Sequence, residues 1–426
     1  MNFRSIHSEY LLGILLALTV PLALFASKGM APLFVAIALV ALGAHVLRRT
    51  PWPLPSSGIL PAIAFFLWAA ISLVWSIAPQ EGIKYLPALA AMLVGGYLLV
   101  TLVASQPERE RRTIEKFLML GVAGGFVILA IEIWSPLAMT MFFRRLVTGE
   151  VVQIDYTAPN YYKAGACVAA LMIWPALAAV LRRGHKSATV LLGFLGMVII
   201  WASNSGAAMI GSLIGLGALF LFVTWPRWAP RLFAAAVVTV TVLMPVVPPL
   251  LPDPGQLEET YPNLPNGLYP RIFIWKSAIR FIDEAPILGL GLNTSRTLSS
   301  DNDAVFFTVP GGPGNTRQSE PIPLHPHNAA LQVRLELGIP GAMLIAGFAV
   351  AVIRVFSRGR AIIDQGFAAA AMISALSIWF LSFSAWSSWW QASIWLCATG
   401  LALAPSSLKS RDDRDPSDEE KHRNTK

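Results

Sequence analysis

Two imidazoles and an amide stand together in Leu324-His325-Pro326-His327-Asn328, just before the segment LQVRLELGIPG. An imidazole titrates near neutrality, so His327 at a membrane boundary can act as a general base or orient an acceptor hydroxyl. The plainer reading is that His327 and Asn328 cap the helix that follows and satisfy its free amides. Both readings stay open on the residues alone. His325 and His327 would need further ligands to hold a metal. No Cys or third His is nearby, and Asp301, Asp303 and Glu320 would join them only through folding, so no metal and no cofactor is expected.

A second group is cationic. Ile272, Trp275, Ile279 and Ile282 recur at helical spacing and predict a helix over 271–283. Arg271 opens it, where a cation does nothing for helix stability. A planar guanidinium there can instead grip a diphosphate and stabilise charge growing on it as it leaves. Lys276 and Arg280 are read as a solvated face. Arg144 and Arg145 form a pair that suits either a substrate phosphate or anionic headgroups. Asn160-Tyr161-Tyr162-Lys163 offers an amide, phenols and an ammonium that either line a sugar or phosphate path or anchor a helix at the interface. Trp386, Trp389 and Trp390 read most economically as an aromatic belt, with stacking on a sugar ring as the alternative.

These residues are positioned by a chain built for a bilayer. It has 426 residues, of which 55% are hydrophobic and only 13% charged, and its mean hydropathy is +0.60. Soluble domains carry about 25% charged residues, because a water-facing exterior must be polar. Apolar runs predict an all-α integral membrane protein with about twelve spans, near 11–27, 30–47, 57–77, 85–105, 117–137, 163–181, 188–203, 207–223, 232–249, 338–353, 362–382 and 391–405. The seventh and eighth share one apolar stretch too long for a single crossing of a core about 30 Å thick, and Ser203-Asn204-Ser205-Gly206 supplies the turn. Gly289-Leu290-Gly291 and Gly338-Ile339-Pro340-Gly341 mark tight turns or helix starts. The run after MNFRSIHSEY has no Ala-x-Ala site and reads as a retained first span. Cys167 and Cys397 lie within apolar runs and imply no disulfide.

Net charge +8 comes from short basic clusters between spans, which is a topology signal and not a nucleic-acid footprint. Arg48, Arg49, Arg109, Arg111, Arg112, Lys116, Arg182, Arg183, Arg227, Arg231, Arg354, Arg358 and Arg360 fall on alternate connections, which places both termini in the cytoplasm. The domain plan is a polytopic unit over 1–407, including one large periplasmic loop at 250–337, and a disordered cytoplasmic tail at 408–426 whose composition cannot pack. Long loops on rigid scaffolds tend to carry the chemistry. No P-loop, Rossmann glycine fingerprint or HExxH motif is present. Few ionisable residues interrupt the spans, Glu132 being the main one, which argues against an ion-coupled transporter.

Taken together, the chain resembles the O-antigen ligase and polysaccharide polymerase superfamily of bacterial membranes. Arg271 with IFIWKSAIRFIDEAPILGLGLN is similar to the family's loop segment, and His327-Asn328 with Leu331, Glu336, Gly338 and Gly341 to its His-Asn signature. Ser72 to Pro79, SLVWSIAP, and Asn160 resemble two further family positions. The resemblance implies a membrane-embedded glycosyltransferase fold, located in the bacterial inner membrane with its active site facing the periplasm. It implies metal-independent transfer of a glycan from undecaprenyl diphosphate to a hydroxyl, with His327 and Arg271 catalytic. Asn328, Asn204, Asn160, Arg144, Arg145 and Lys163 are then the expected substrate contacts. The acceptor is lipid A-core for a ligase, or a second lipid-linked glycan for an O-antigen or exopolysaccharide polymerase. One departure stands out: the family's ligases carry an arginine where this chain has Asn204. The competing readings are a polysaccharide transporter or flippase, and a non-catalytic assembly partner.

Overall fold

The computed structural model describes residues 8–53, 58–135, 137–147, 149, 159–261, 267–299, 305–308 and 316–405. Asp301, Asp303 and the expected tail at 408–426 lie outside these residues. Every one of the twelve expected intervals falls on helix. Among the described residues, nine helices are long and apolar enough to cross a membrane, while Ile59–Val74 and Lys186–Ala202 are apolar but shorter. Ser388–Ala402 is shorter still, at 15 residues. The coarse expectation of an all-α, multi-pass protein is therefore met. A two-stranded antiparallel hairpin, Val305–Thr308 with Thr316–Ser319, was not foreseen.

In lipid the hydrophobic effect does not drive helices together, so close packing at small residues takes its place. A Cβ on Gly121 would meet the Ala17 backbone at 2.2 Å, and one on Gly125 would meet Val20 at 2.3 Å. The Asn160–Arg182 helix is buried almost all round, unlike the other spans, and serves as the hub of the bundle. Its Trp174 donates to Ser374 Oγ at 2.8 Å, and Ser374 donates to the Gly211 carbonyl at 2.9 Å. Three helices are thereby joined by one hydroxyl.

The expected span at 338–353 begins at the kink in the Ala329–Phe356 segment, where the non-helical Gly338 (φ 65, ψ −158) separates a short leading helix from the longer one. The reason lies in the neighbouring chain. A Cβ at Gly338 would sit 2.0 Å from the Ile287 carbonyl oxygen, so no other residue fits. The carbonyls freed by the break find donors nearby: Leu290 N bonds Leu335 O at 3.0 Å, Gly291 N bonds Glu336 O at 2.7 Å, and Trp68 Nε1 bonds Leu337 O at 2.9 Å. Ile339 N in turn donates to Ile287 O at 2.9 Å. A broken helix at membrane depth persists only where its backbone is re-satisfied in this way.

The same crossing explains the early SLVWSIAP segment. Leu292 N donates to Ser72 Oγ at 3.1 Å, Trp75 Nε1 to Gly289 O at 3.1 Å, and Ile77 N to Leu290 O at 3.1 Å. The Gly289-Leu290-Gly291 strap is thus clamped from both sides, and Gly289 and Gly291 adopt the positive φ values this requires (73° and 105°).

Candidate functional site

The expected loop helix is real and slightly longer than expected, Leu268–Glu284. Arg271 and Trp275 are four residues apart, on one helix face. Trp275 Nε1 donates to the Pro326 carbonyl at 3.0 Å, which pins the His-Pro-His turn against this helix. Arg271 is thereby brought close enough for its charge to act on the His327 ring.

The turn itself is tightly specified. Leu324 and His327 both hold positive φ (56° and 53°), an unfavourable region for residues with a Cβ. His327 N donates to His325 Nδ1 at 3.0 Å, and the two rings lie 4.2 Å apart. His327 Nδ1 is 3.0 Å from the Ser382 carbonyl oxygen. A carbonyl only accepts, so Nδ1 carries the proton and Nε2 keeps its lone pair. Burial pushes the His327 pKa below the ordinary imidazole range; the Ser382 bond works against this and the Arg271 charge adds to it. His325 is driven down to about 3 by burial, then by His327 and Arg296. His327 is therefore a neutral ring with a fixed tautomer and a basic nitrogen available.

Asn328 is fully buried and is the N-cap, its Oδ1 accepting from Leu331 N at 3.0 Å. The plain capping reading holds for Asn328 but not for His327. Asn328 Nδ2 finds no partner, a buried donor left open.

Arg271 folds back along its helix: a Cβ on Gly267 would lie 3.3 Å from its Nη1. Among the described residues its guanidinium has no hydrogen bond or ion pair, although burial has already lowered its pKa. Its charge also reaches Cys167, whose Sγ lies 3.6 Å from Ser205 Oγ in the Ser203–Gly206 turn. Asn204, at φ 52, is the exposed tip of that turn. Lys163 lies one turn before Cys167 and bonds Asn160 Oδ1 at 2.8 Å. Arg144 sits over the Tyr161 ring at 5.1 Å, and Arg145 is exposed on the same short helix, Ala138–Val147. Arg271 and Lys163 thus both act on Cys167, which touches Ser205 of the Asn204 turn, and Lys163 is bonded to Asn160.

Sequence reasoning missed what holds the site. Asn328, Gln332 and Glu336 are spaced by four on one helix face. Glu336 is fully buried and accepts from Ser295 Oγ (2.5 Å), Ser295 N (3.3 Å), Gln332 Nε2 (2.9 Å), Trp386 Nε1 (2.6 Å) and Asn293 N. Gln332 Oε1 accepts from Ser384 Oγ (3.0 Å) and Ala385 N (2.8 Å). This network fixes the 382–386 segment, whose Ser382 sets the His327 tautomer, and the Asn293–Arg296 turn, whose Arg296 faces His325. The polar 4-residue repeat within an apolar helix was the available signal. The belt reading of the tryptophans is corrected: Trp386 and Trp390 are buried, and Trp386 is a hydrogen-bond donor to Glu336. Among the described residues no cluster of three or more His, Cys, Asp or Glu could hold a metal.

Among the described residues, a multi-pass helical scaffold thus holds His327 near an Arg271 that has no hydrogen-bond or ion-pair partner. A sequence profile of the O-antigen ligase family matches residues 188–346, the stretch that contains Asn204, Arg271 and His327. Three Rickettsia proteins, each carrying the name "Putative polysaccharide ligase", are similar along most of their length. The R. conorii protein is 27% identical over 83% of this chain and 81% of its own. The R. felis and R. bellii proteins are 26% and 24% identical, each over 78% of this chain and 77% of their own. The chain is thus similar to the O-antigen ligase family over 188–346 and to putative polysaccharide ligases over most of its length. No solved structure matches it.

Proposed function

We propose that the protein transfers a glycan from a polyprenyl diphosphate to an acceptor hydroxyl, most directly as an O-antigen ligase acting on lipid A-core. The observation that carries this reading is the pairing of a tautomer-locked, neutral His327 with an Arg271 that has no partner among the described residues. His327 Nε2 takes the proton of the acceptor hydroxyl as its oxygen attacks the anomeric carbon. The bond from that carbon to the diphosphate oxygen breaks, and the electron pair leaves with the diphosphate. Arg271 holds the charge gathering there, as preorganised donors do in low dielectric. Lys163, Asn160 and Asn204 line the same cleft, Arg144 and Arg145 guard its rim, and Asn328 Nδ2 offers a further donor.

The basic connections support a cytoplasmic placement of both termini, and hence a periplasmic site in the bacterial inner membrane. On this reading the nine long spans and the three shorter apolar helices make twelve crossings within 1–407. Asn204 favours a second reading: without a cation at that turn one diphosphate contact is weakened, which suits a polymerase-like branch that extends a lipid-linked glycan.

Deleting the gene and examining lipopolysaccharide and lipid-linked intermediates tests both. Long polymer stranded on its carrier with bare core supports ligation, whereas single repeats on core support polymerisation. Normal glycans of every class after deletion would sink the proposal.

A further inference from the structure

A cavity of about 720 Å³ lies far from the His327 cleft. It opens at the N-terminal end of the Glu108–Trp134 helix, whose other end, through Glu132, faces Tyr162 near the site. At 1.5 Å per residue, the lining residues Glu108 to Leu120 lie about 18–36 Å along that helix from Glu132.

The helix sorts its charges by face at this end. On the inner face Glu110 pairs with Arg48 at 2.6 Å, and Glu115 with Arg182, which also bonds Asp364 at 2.8 Å. Arg111 donates to the Leu403 and Ala404 carbonyls. On the face that lines the cavity, Arg109, Arg112 and Lys116 recur at intervals of three and four. Arg183 crosses from the next helix end and donates to the Arg112 carbonyl at 2.9 Å, adding a fourth cation. Glu108 is the single carboxylate in the lining, and it is taken by Arg112 at 2.5 Å. Among the described residues Arg109 and Lys116 have no carboxylate at all.

The upper wall of the cavity is apolar. Tyr10 packs edge-on against Phe117 with ring centroids 6.1 Å apart, and Leu120 continues the wall towards the membrane middle. Tyr10 and Leu120 remain exposed on the outer surface of the bundle. Uncompensated cations below a lipid-facing apolar wall match the shape and charge of a phospholipid. A soluble anion would leave that wall without a role.

We propose that this cavity is a binding site for an anionic glycerophospholipid, its phosphates held by Arg109, Lys116 and Arg183 and its acyl chains lying along Tyr10, Phe117 and Leu120. The site stands apart from the transfer chemistry and does not depend on it. Basic recesses between helices hold such headgroups through charge worth about 1 kcal/mol per cation.

The test is native mass spectrometry of the purified full-length protein titrated with cardiolipin, phosphatidylglycerol or phosphatidylcholine. Wild type is expected to retain the anionic lipids preferentially, and Arg109→Gln with Lys116→Gln to lower that preference about thirtyfold. The control pair Arg227→Gln with Arg231→Gln removes equal charge elsewhere and is expected to leave it unchanged. Melting of each variant in lipid-free detergent, unchanged from wild type, shows that folding is not the cause. Equal retention of all three lipids by wild type, or equal loss from both double variants, overturns the proposal.

Discussion

Arg182 and Arg271 are both cations held within the bundle, and they are treated in opposite ways. Arg182 is clasped by Glu115 and Asp364, so its charge is cancelled where it sits. Arg271 is pressed against Gly267 with no anion beside it among the described residues. A buried charge without a partner is costly, and a fold keeps one only where something outside the chain completes it. The pairing at Arg182 stabilises the scaffold, whereas Arg271, on the function proposed above, is the cation that would hold the diphosphate.

The largest effect that could break this contrast is on chemistry. His327→Ala and Arg271→Ala are each expected to cut glycan transfer by about 100-fold or more while membrane levels stay near wild type. Complementation of a deletion strain, read on lipopolysaccharide gels beside an immunoblot, decides it; full product from either variant removes that residue from the mechanism. Next in size is Glu336→Ala, which strips the acceptor from five donors around a buried centre. We expect a loss of about 3–5 kcal/mol, seen as a lowered melting temperature, with transfer falling too. Glu336→Gln should fall in between. Glu115→Gln sharpens the comparison from the other side: it should cost about 1–3 kcal/mol in stability yet leave transfer per folded molecule unchanged.

Acidity gives a finer test. His327 must be neutral to accept a proton, and its pKa is lowered by burial, so the acid limb of the rate profile should lie below the ordinary imidazole value near 6.5. A limb at or above 6.5 would contradict the buried, tautomer-locked base. The stability sign follows from the same burial. Below pH 6.5 the unfolded chain binds a proton at His325 that the folded chain refuses until about pH 3. Stability should therefore fall as pH drops through that window, and His325→Gln should flatten the slope. The smallest effect is expected at Arg112→Gln, an exposed pair with Glu108 worth about 0.5 kcal/mol or less.

Much of this was legible in the residues. Every apolar run picked out fell on helix, and helical spacing found the Leu268–Glu284 segment with Arg271 near its start, but the helices Ala138–Val147 and Pro254–Thr260 were read as loop. Gly289, Gly291 and Gly338 announced tight backbone. What stayed hidden was non-local. Nothing near Gly338 in the chain says that Ile287 crosses it, so the contact behind the break was not foreseen. The tryptophans of 386–390 were read as interfacial because aromatic residues near a span end usually are; the buried Glu336 that recruits Trp386 lies 50 residues away. His327 and Arg271 were singled out by type, but their proximity depends on Trp275 reaching Pro326, a contact no spacing rule reveals.

The strap from Ile287 to Leu292 has one further consequence. It supplies donors to Leu335 and Glu336 and accepts from Ile339, Trp75 and Ile77, with Ser72 beneath it. Lifting it would strand six polar groups at once, at about 1 kcal/mol or more apiece. It behaves as a weld and not as a lid.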